Sequence, residues 1–248
     1  MPNHPHLTRA PIAEAVIEFR VRMSRPVPPE SFAIFRDRLK NKFPTAQNIR
    51  YVASHLQFEG EDSVKTDVSN TMFGVRLDDA ERLWVVQGKS DGLAVSRLPP
   101  YESWDGLIAA VREVWPVYVE TFQPDAVLRL GVRYINKIPL PEGESVDLDK
   151  VLTGAPKIPP ILPQNLTEFV TRVVLPIEAE GIVLAIAQAM GSAAAAGPAH
   201  VVLDIDAACE ESFAPESQEM WGKLAALREA KNVAFFGSLM EDTWRKFL

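Results

Sequence analysis

The side chains with the strongest claim to chemistry are cations on two stretches of alternating sequence. Arg20 and Arg22 lie on the polar side of Ala13–Met23, where Ala13, Ala15, Ile17, Phe19, Val21 and Met23 face the other way. Arg129, Arg133 and Lys137 lie on the polar side of Val127–Ile138, opposite Leu128, Leu130, Val132, Tyr134 and Ile138. Arginine binds carboxylate and phosphate through paired, charge-assisted hydrogen bonds. Gly131 stands between Arg129 and Arg133, and a glycine inside a strand leaves room for a ligand or another backbone to approach. If the two stretches are neighbours, Arg20, Arg22, Arg129, Gly131, Arg133 and Lys137 form a candidate binding face for an acidic partner. The competing reading is that acids such as Glu14 and Glu18 neutralise the cations in cross-strand pairs.

Other residue patterns carry less. Asp204 and Asp206 are two apart on a strand, share a face, and have the type to hold a magnesium ion. A third ligand is absent nearby except Glu210 and Glu211, beyond the strand end, so a solvated sheet face is the competing reading. Gly88-Lys89-Ser90-Asp91-Gly92 matches the nucleophile-elbow pattern G-x-S-x-G. An elbow needs a helix after the serine, whereas Leu93-Ala94-Val95-Ser96 continues as a strand. Gly, Ser and Asp are also the residues of a hairpin turn. The histidines His4, His6, His55 and His200 lack zinc-ligand spacing with each other and with Cys209. No dinucleotide, P-loop or kinase motif occurs, and no cofactor is expected.

The elements that must position these residues follow from periodicity. Ala13–Met23 and Val127–Ile138 have the period of two of half-buried antiparallel strands. After the first, Pro28 and Pro29 open a helix carrying Phe32, Phe35, Leu39 and Phe43 at helical spacing. Four strands are predicted at Ile49–Glu59, Thr71–Leu77, Arg82–Gly88 and Gly92–Leu98, with a polar loop at Gly60–Asn70. A second helix is predicted after Pro100, with Ser103 as its N-cap, Trp104, Ile108, Val111, Trp115 and Phe122 along one face, and a kink at Pro116. The second stretch restarts the order. A short helix at Asp147–Leu152, a proline-rich loop, strands at Thr167–Ala179, Gly181–Met190 and His200–Asp206, and a long helical stretch from Pro215 follow. Gly191–Ala199 reads as a flexible connection. Phe19, Phe35, Trp104, Trp115, Tyr134 and Trp221 are expected in the core.

Each half thus reads strand, helix, three or four strands, helix. The expected fold is α+β: two such units, 1–124 and 125–248, forming one antiparallel sheet with helices on one face. The TATA-box-binding protein and helix-grip folds are ordered in this way, an analogy of element order that carries no function.

Composition narrows the classes. The chain has 248 residues, 47% hydrophobic and 24% charged, enough for a substantial core. Its single cysteine excludes an intramolecular disulfide and points to a reducing compartment, with the cytoplasm as the expected location. The polar N-terminal stretch does not read as a secretory signal, and no apolar run reaches the length of a membrane span. A net charge of −7 disfavours non-specific binding to nucleic acid and to anionic membranes.

Two segments also resemble a known family: Ala10-Pro11-Ile12-Ala13-Glu14-Ala15-Val16-Ile17-Glu18 and Arg129-Leu130-Gly131-Val132-Arg133-Tyr134-Ile135-Asn136-Lys137-Ile138. With Asn232-Val233-Ala234-Phe235-Phe236 they resemble an uncharacterised prokaryotic family described as "sporadically distributed". The resemblance covers essentially the whole chain. It implies no activity and no catalytic residues; scattered occurrence is typical of accessory genes, defence loci included.

Together these readings favour a non-enzymatic binding or regulatory protein. It would hold a protein partner, or a further copy of itself, on the open sheet face or the loops Gly60–Asn70 and Gly154–Gln164. The alternatives are a nucleic-acid-binding or nucleic-acid-processing protein, and a metal-dependent enzyme built on Asp204 and Asp206.

Overall fold

A computed structural model describes residues 4–58, 64–141, 147–164, 166–190 and 199–248, with backbone alone for 52–58 and 64–70. The elements in chain order are β1 (Ile12–Arg22), α1 (Pro29–Leu39), β2 (Thr45–Phe58), β3 (Val64–Asp78), β4 (Trp84–Lys89), β5 (Gly92–Arg97) and α2 (Trp104–Phe122). They continue with β6 (Ala126–Pro139), β7 (Phe169–Ile177), β8 (Ile182–Met190), β9 (His200–Cys209), α3 (Glu219–Ser238) and α4 (Glu241–Trp244). The nine strands among the described residues form one antiparallel sheet in the order β2-β3-β4-β5-β1-β6-β9-β8-β7. The protein is therefore α+β, and the cation-bearing strands β1 and β6 are adjacent at its centre.

Alternation decides which face is covered. Ala15, Ile17 and Phe19 of β1 are fully buried, as are Leu130 and Val132 of β6 beside them. The helices pack on this side. Phe19 stacks on Trp115 of α2 at 4.3 Å and meets the edge of Trp221 of α3 at 6.3 Å. Phe35 of α1 lies where a side chain at Gly88 would project, so the absence of a Cβ there is what admits the ring. The helix ends follow local chemistry. Pro29 opens α1 at a position with no hydrogen bond to lose. The Ser103 hydroxyl accepts from the Gly106 amide at 3.1 Å to cap α2. At the other end of α2 Gln123 takes a left-handed conformation and returns its amide to Val119.

Several expectations are corrected. Leu128, expected on the apolar face of its strand, is the extra residue of a bulge. Arg20 faces Arg129 and Val21 faces Val127, so Leu128 is left 38% exposed and Val127 takes the buried place. Trp104 and Trp221 are half-buried rather than core residues. Part of the loop predicted at Gly60–Asn70 is strand, since β3 begins at Val64; 60–63 lie outside the described residues, as does 191–198 of the connection predicted at Gly191–Ala199. Asp147–Leu152 is a single 3-10 turn at Leu148–Lys150 rather than a helix. The last helical stretch starts at Glu219 and breaks at Leu239, whose backbone is extended. Among the described residues no helix is long and apolar enough to cross a membrane.

Candidate functional site

The predicted cations meet on the sheet face away from the helices. Glu18 of β1 sits in register with Ala94 on one side and Gly131 on the other, and Gly131 with Ala208. This row of small residues lets a long side chain lie flat. Arg129 fills it: a Cβ at Gly131 would lie 2.6 Å from the Arg129 Nη1, so the notch between the arginines is occupied by Arg129 itself. Its Nη1 donates to Glu18 Oε2 at 2.8 Å and its Nη2 to Asp206 Oδ2 at 2.7 Å. Lys89 Nζ donates to Glu18 Oε1 at 3.4 Å, and Arg20 lies 3.7 Å from Glu18. Arg133 makes a two-pronged pair with Asp204, at 2.9 and 2.5 Å, which holds its pKa above the ordinary arginine value against the opposing effect of burial.

Structure thus brings Arg20, Arg129, Gly131 and Arg133 together but spends the cations internally. Lys89, Arg20, Arg129 and Arg133 face the carboxylates of Glu18, Asp204 and Asp206, so the band is mixed in charge rather than a positive stripe. Arg22 and Lys137 are exposed at opposite ends of the band and join none of these pairs. The same pairs engage Asp204 and Asp206, the carboxylates considered for magnesium. Among the described residues no group of three or more His, Cys, Asp or Glu side chains is placed to hold a metal ion. Ser90 lies in the turn between β4 and β5, its amide donating to Phe73 O at 2.9 Å, and a strand follows it. Cys209 is buried, and burial raises its thiol pKa, the opposite of what a nucleophile needs.

A second place was not singled out in the sequence. At one end of the central strands lies a cavity of about 300 Å³. Its walls come from the N-terminal segment, the stretch leading into α2, β6 at Tyr134 and Asn136, and α3 at Arg228 and Lys231. Pro11 and Ile12, Tyr134 and Asn136, and Asn232, Phe235 and Phe236 all line it.

The cavity is aromatic with a buried cation at its head. The Lys231 ammonium stands 3.8 Å from the centre of the Tyr134 ring and has no hydrogen-bond acceptor or ion-pair partner among the described residues. Arg228, one turn earlier on α3, lies over the Trp104 ring at 5.5 Å and likewise has no carboxylate partner among them. Two acids line the cavity as well, Glu102, which is taken by Arg97 at 2.9 Å, and Asp105. The Tyr101 and Tyr134 hydroxyls share one hydrogen bond of 2.7 Å. Asn136 Nδ2 donates to the carbonyls of Tyr134 and Leu203, which fixes this end of β6 against β9. His4 stacks on Phe236 at 4.5 Å.

Burial, then the neighbouring charge of Arg228, bring the Lys231 pKa down to about 7, with Glu229 opposing weakly. The ring face of Tyr134 favours the charged form as well. Lys231 therefore exchanges its proton near neutrality, which an exposed lysine does not. Desolvation raises both tyrosines, Tyr134 well above its ordinary value. The available signal was a gap in a pattern. Leu224, Leu227 and Phe235 mark the buried stripe of α3, and position 231 falls on it, where a lysine stands in place of an apolar residue. Compared with known proteins, the chain matches no family model and no curated protein.

Proposed function

We propose that the protein is a non-enzymatic binding protein with a regulatory role, and that its cavity takes a small organic anion. The observation that carries this is the buried Lys231 ammonium, which has no acceptor among the described residues, beside a half-buried Arg228 that has no carboxylate partner among them. The desolvated Lys231 ammonium beside the half-buried Arg228 is a like-charge pairing that a bound anion would relieve, with Asp105 the one lining carboxylate that no ion pair among the described residues engages. The site supplies what such a ligand needs: charge from Arg228 and Lys231, a polar hydroxyl at Tyr101, and apolar walls from Trp104 and Phe235. About 300 Å³ is the low end of the range for small-molecule pockets, so a compact carboxylate or phosphate ester fits and a polymer does not. The mixed charge of the open sheet face argues in the same direction, against nucleic acid.

The fold would frame this site by duplication. Outward from the centre the first half runs β1, β5, β4, β3 and the second runs β6, β9, β8, β7, the same sequential order in each. We read this as two related units in the manner of the TATA-box-binding protein, the first carrying the additional edge strand β2. The cavity lies on one side of the junction of the units, where the entry to α2 from the first faces α3 of the second.

The test is thermal denaturation with succinate or inorganic phosphate at millimolar concentration, on the natural chain and on Arg228→Gln. A ligand at a hundred times its dissociation constant adds about 2.7 kcal/mol of stability, a readily measured rise in midpoint. Stabilisation by either anion that is lost in Arg228→Gln supports the reading. No stabilisation by either, or equal stabilisation of both proteins, refutes it.

A further inference from the structure

The pair on α3 goes further than charge. Arg228 and Lys231 are three residues apart, so they project from one helix face with their Cβ atoms about 5–6 Å apart. A carboxylate held by Arg228 would bring the adjacent carbon of its ligand towards the Lys231 amine. Tyr101, whose hydroxyl is bonded to that of Tyr134, lines the same cavity. Resting on the cavity reading above, we propose that Lys231 captures the carbonyl carbon of a small 2-oxo acid as a reversible imine, with Arg228 holding the carboxylate.

The steps balance without an oxidant or reductant. The neutral amine of Lys231 adds to the carbonyl carbon; the C–N bond forms and the carbonyl π pair moves to oxygen. That oxygen takes a proton from the Tyr101–Tyr134 hydroxyl pair, and the nitrogen returns a proton to it, giving a carbinolamine. Loss of the hydroxyl as water then leaves the C=N bond. The sum is amine plus carbonyl going to imine plus one water, and hydrolysis reverses it.

Reactivity follows from the fraction of free amine. With a pKa of about 7 roughly half of Lys231 is neutral at neutral pH, on the order of a thousandfold more than for an ordinary surface lysine. Burial sets this balance first, then the charges of Arg228 and Glu229 on its own helix, with the Tyr134 ring beside the amine and Glu102 and Asp105 lining the same cavity. The tyrosine hydroxyls stay protonated, since burial raises both, and so can donate.

The experiment incubates the full chain with pyruvate, glyoxylate or 2-oxoglutarate and reduces it with sodium borohydride. Intact mass then shows whether one reduced adduct has formed, and peptide mapping shows where. The expected result is a single adduct on Lys231, reduced at least tenfold in Arg228→Gln and absent in Lys231→Met, with both variants checked for folding by circular dichroism. Labelling spread over surface lysines, or unchanged labelling in Arg228→Gln, overturns the imine. If succinate stabilises the protein but none of the three 2-oxo acids is trapped, the imine falls and the anion cavity stands. If there is neither stabilisation nor trapping, both fall.

Discussion

Replacing Lys231 by methionine should make the protein more stable, and by an amount that depends on pH. In the unfolded chain Lys231 titrates near the ordinary value of 10.5, and in the folded protein near 7. Between these values the unfolded state binds more protons, so stability rises with pH through this window. Below about pH 7 both states are protonated and the whole cost of burying the charge is present. Above about pH 10.5 both are neutral and the cost is gone. A gap of 3.5 pH units at 1.36 kcal/mol per unit comes to about 3–5 kcal/mol, and the residue is 9% exposed, so solvent screening reduces it little. Methionine keeps the unbranched apolar stem and removes the charge. Lys231→Met should therefore exceed the natural chain in stability by about 3–5 kcal/mol near pH 6, the gap closing towards about pH 10. Urea denaturation of both proteins across this range measures it. Parallel stability curves would show that Lys231 keeps an ordinary pKa, and would remove the ground for its reactivity as an amine.

Arg129→Ala should cost about 2–3 kcal/mol, because it strands the partly buried carboxylates of Glu18 and Asp206, while Arg22→Ala should stay within about 0.5 kcal/mol; urea midpoints compare them. Gly92→Ala should cost about 2–3 kcal/mol by the same measurement, since its Cβ would lie 2.0 Å from the Phe19 carbonyl oxygen across the β5–β1 pair. Trp115→Ala removes the ring stacked on Phe19 and the hydrogen bond from its indole to the Pro215 carbonyl, and should lower stability by about 3–5 kcal/mol, read from the thermal midpoint.

What was readable in the sequence depended on whether a property is local. The alternation of β1 and β6 is a property of each strand alone, and it located both strands and their polar faces. The bulge at Leu128 arises only when Arg20 and Val21 pair with their partners, so no period within β6 announces it. The arginines were visible as a cluster, yet their fate was set by register. Arg133 lies opposite Asp206 but bonds Asp204, and Asp206 is left for Arg129, two rows away. Such diagonal pairing needs the neighbouring strand to be placed first. Lys231 was the reverse case, a local irregularity in plain view on α3 whose meaning depends on Tyr134 and Arg228 closing around it.

The pairing of β1 with β6 also bears on how the chain is made. Glu18 and Gly131, in register, are 113 residues apart (131 − 18 = 113). On the ribosome β1 gains β5 as a neighbour once Arg97 has emerged, but its other edge must wait for β6, complete only at Pro139, 42 residues later (139 − 97 = 42). At about 5–20 residues per second that interval is roughly 2–8 seconds. For that time the nascent first half presents an open strand in what will be the middle of the sheet. Glu14, Glu18, Arg20 and Arg22 are then a guard: charges along a free edge discourage pairing with another nascent chain until the proper strand arrives.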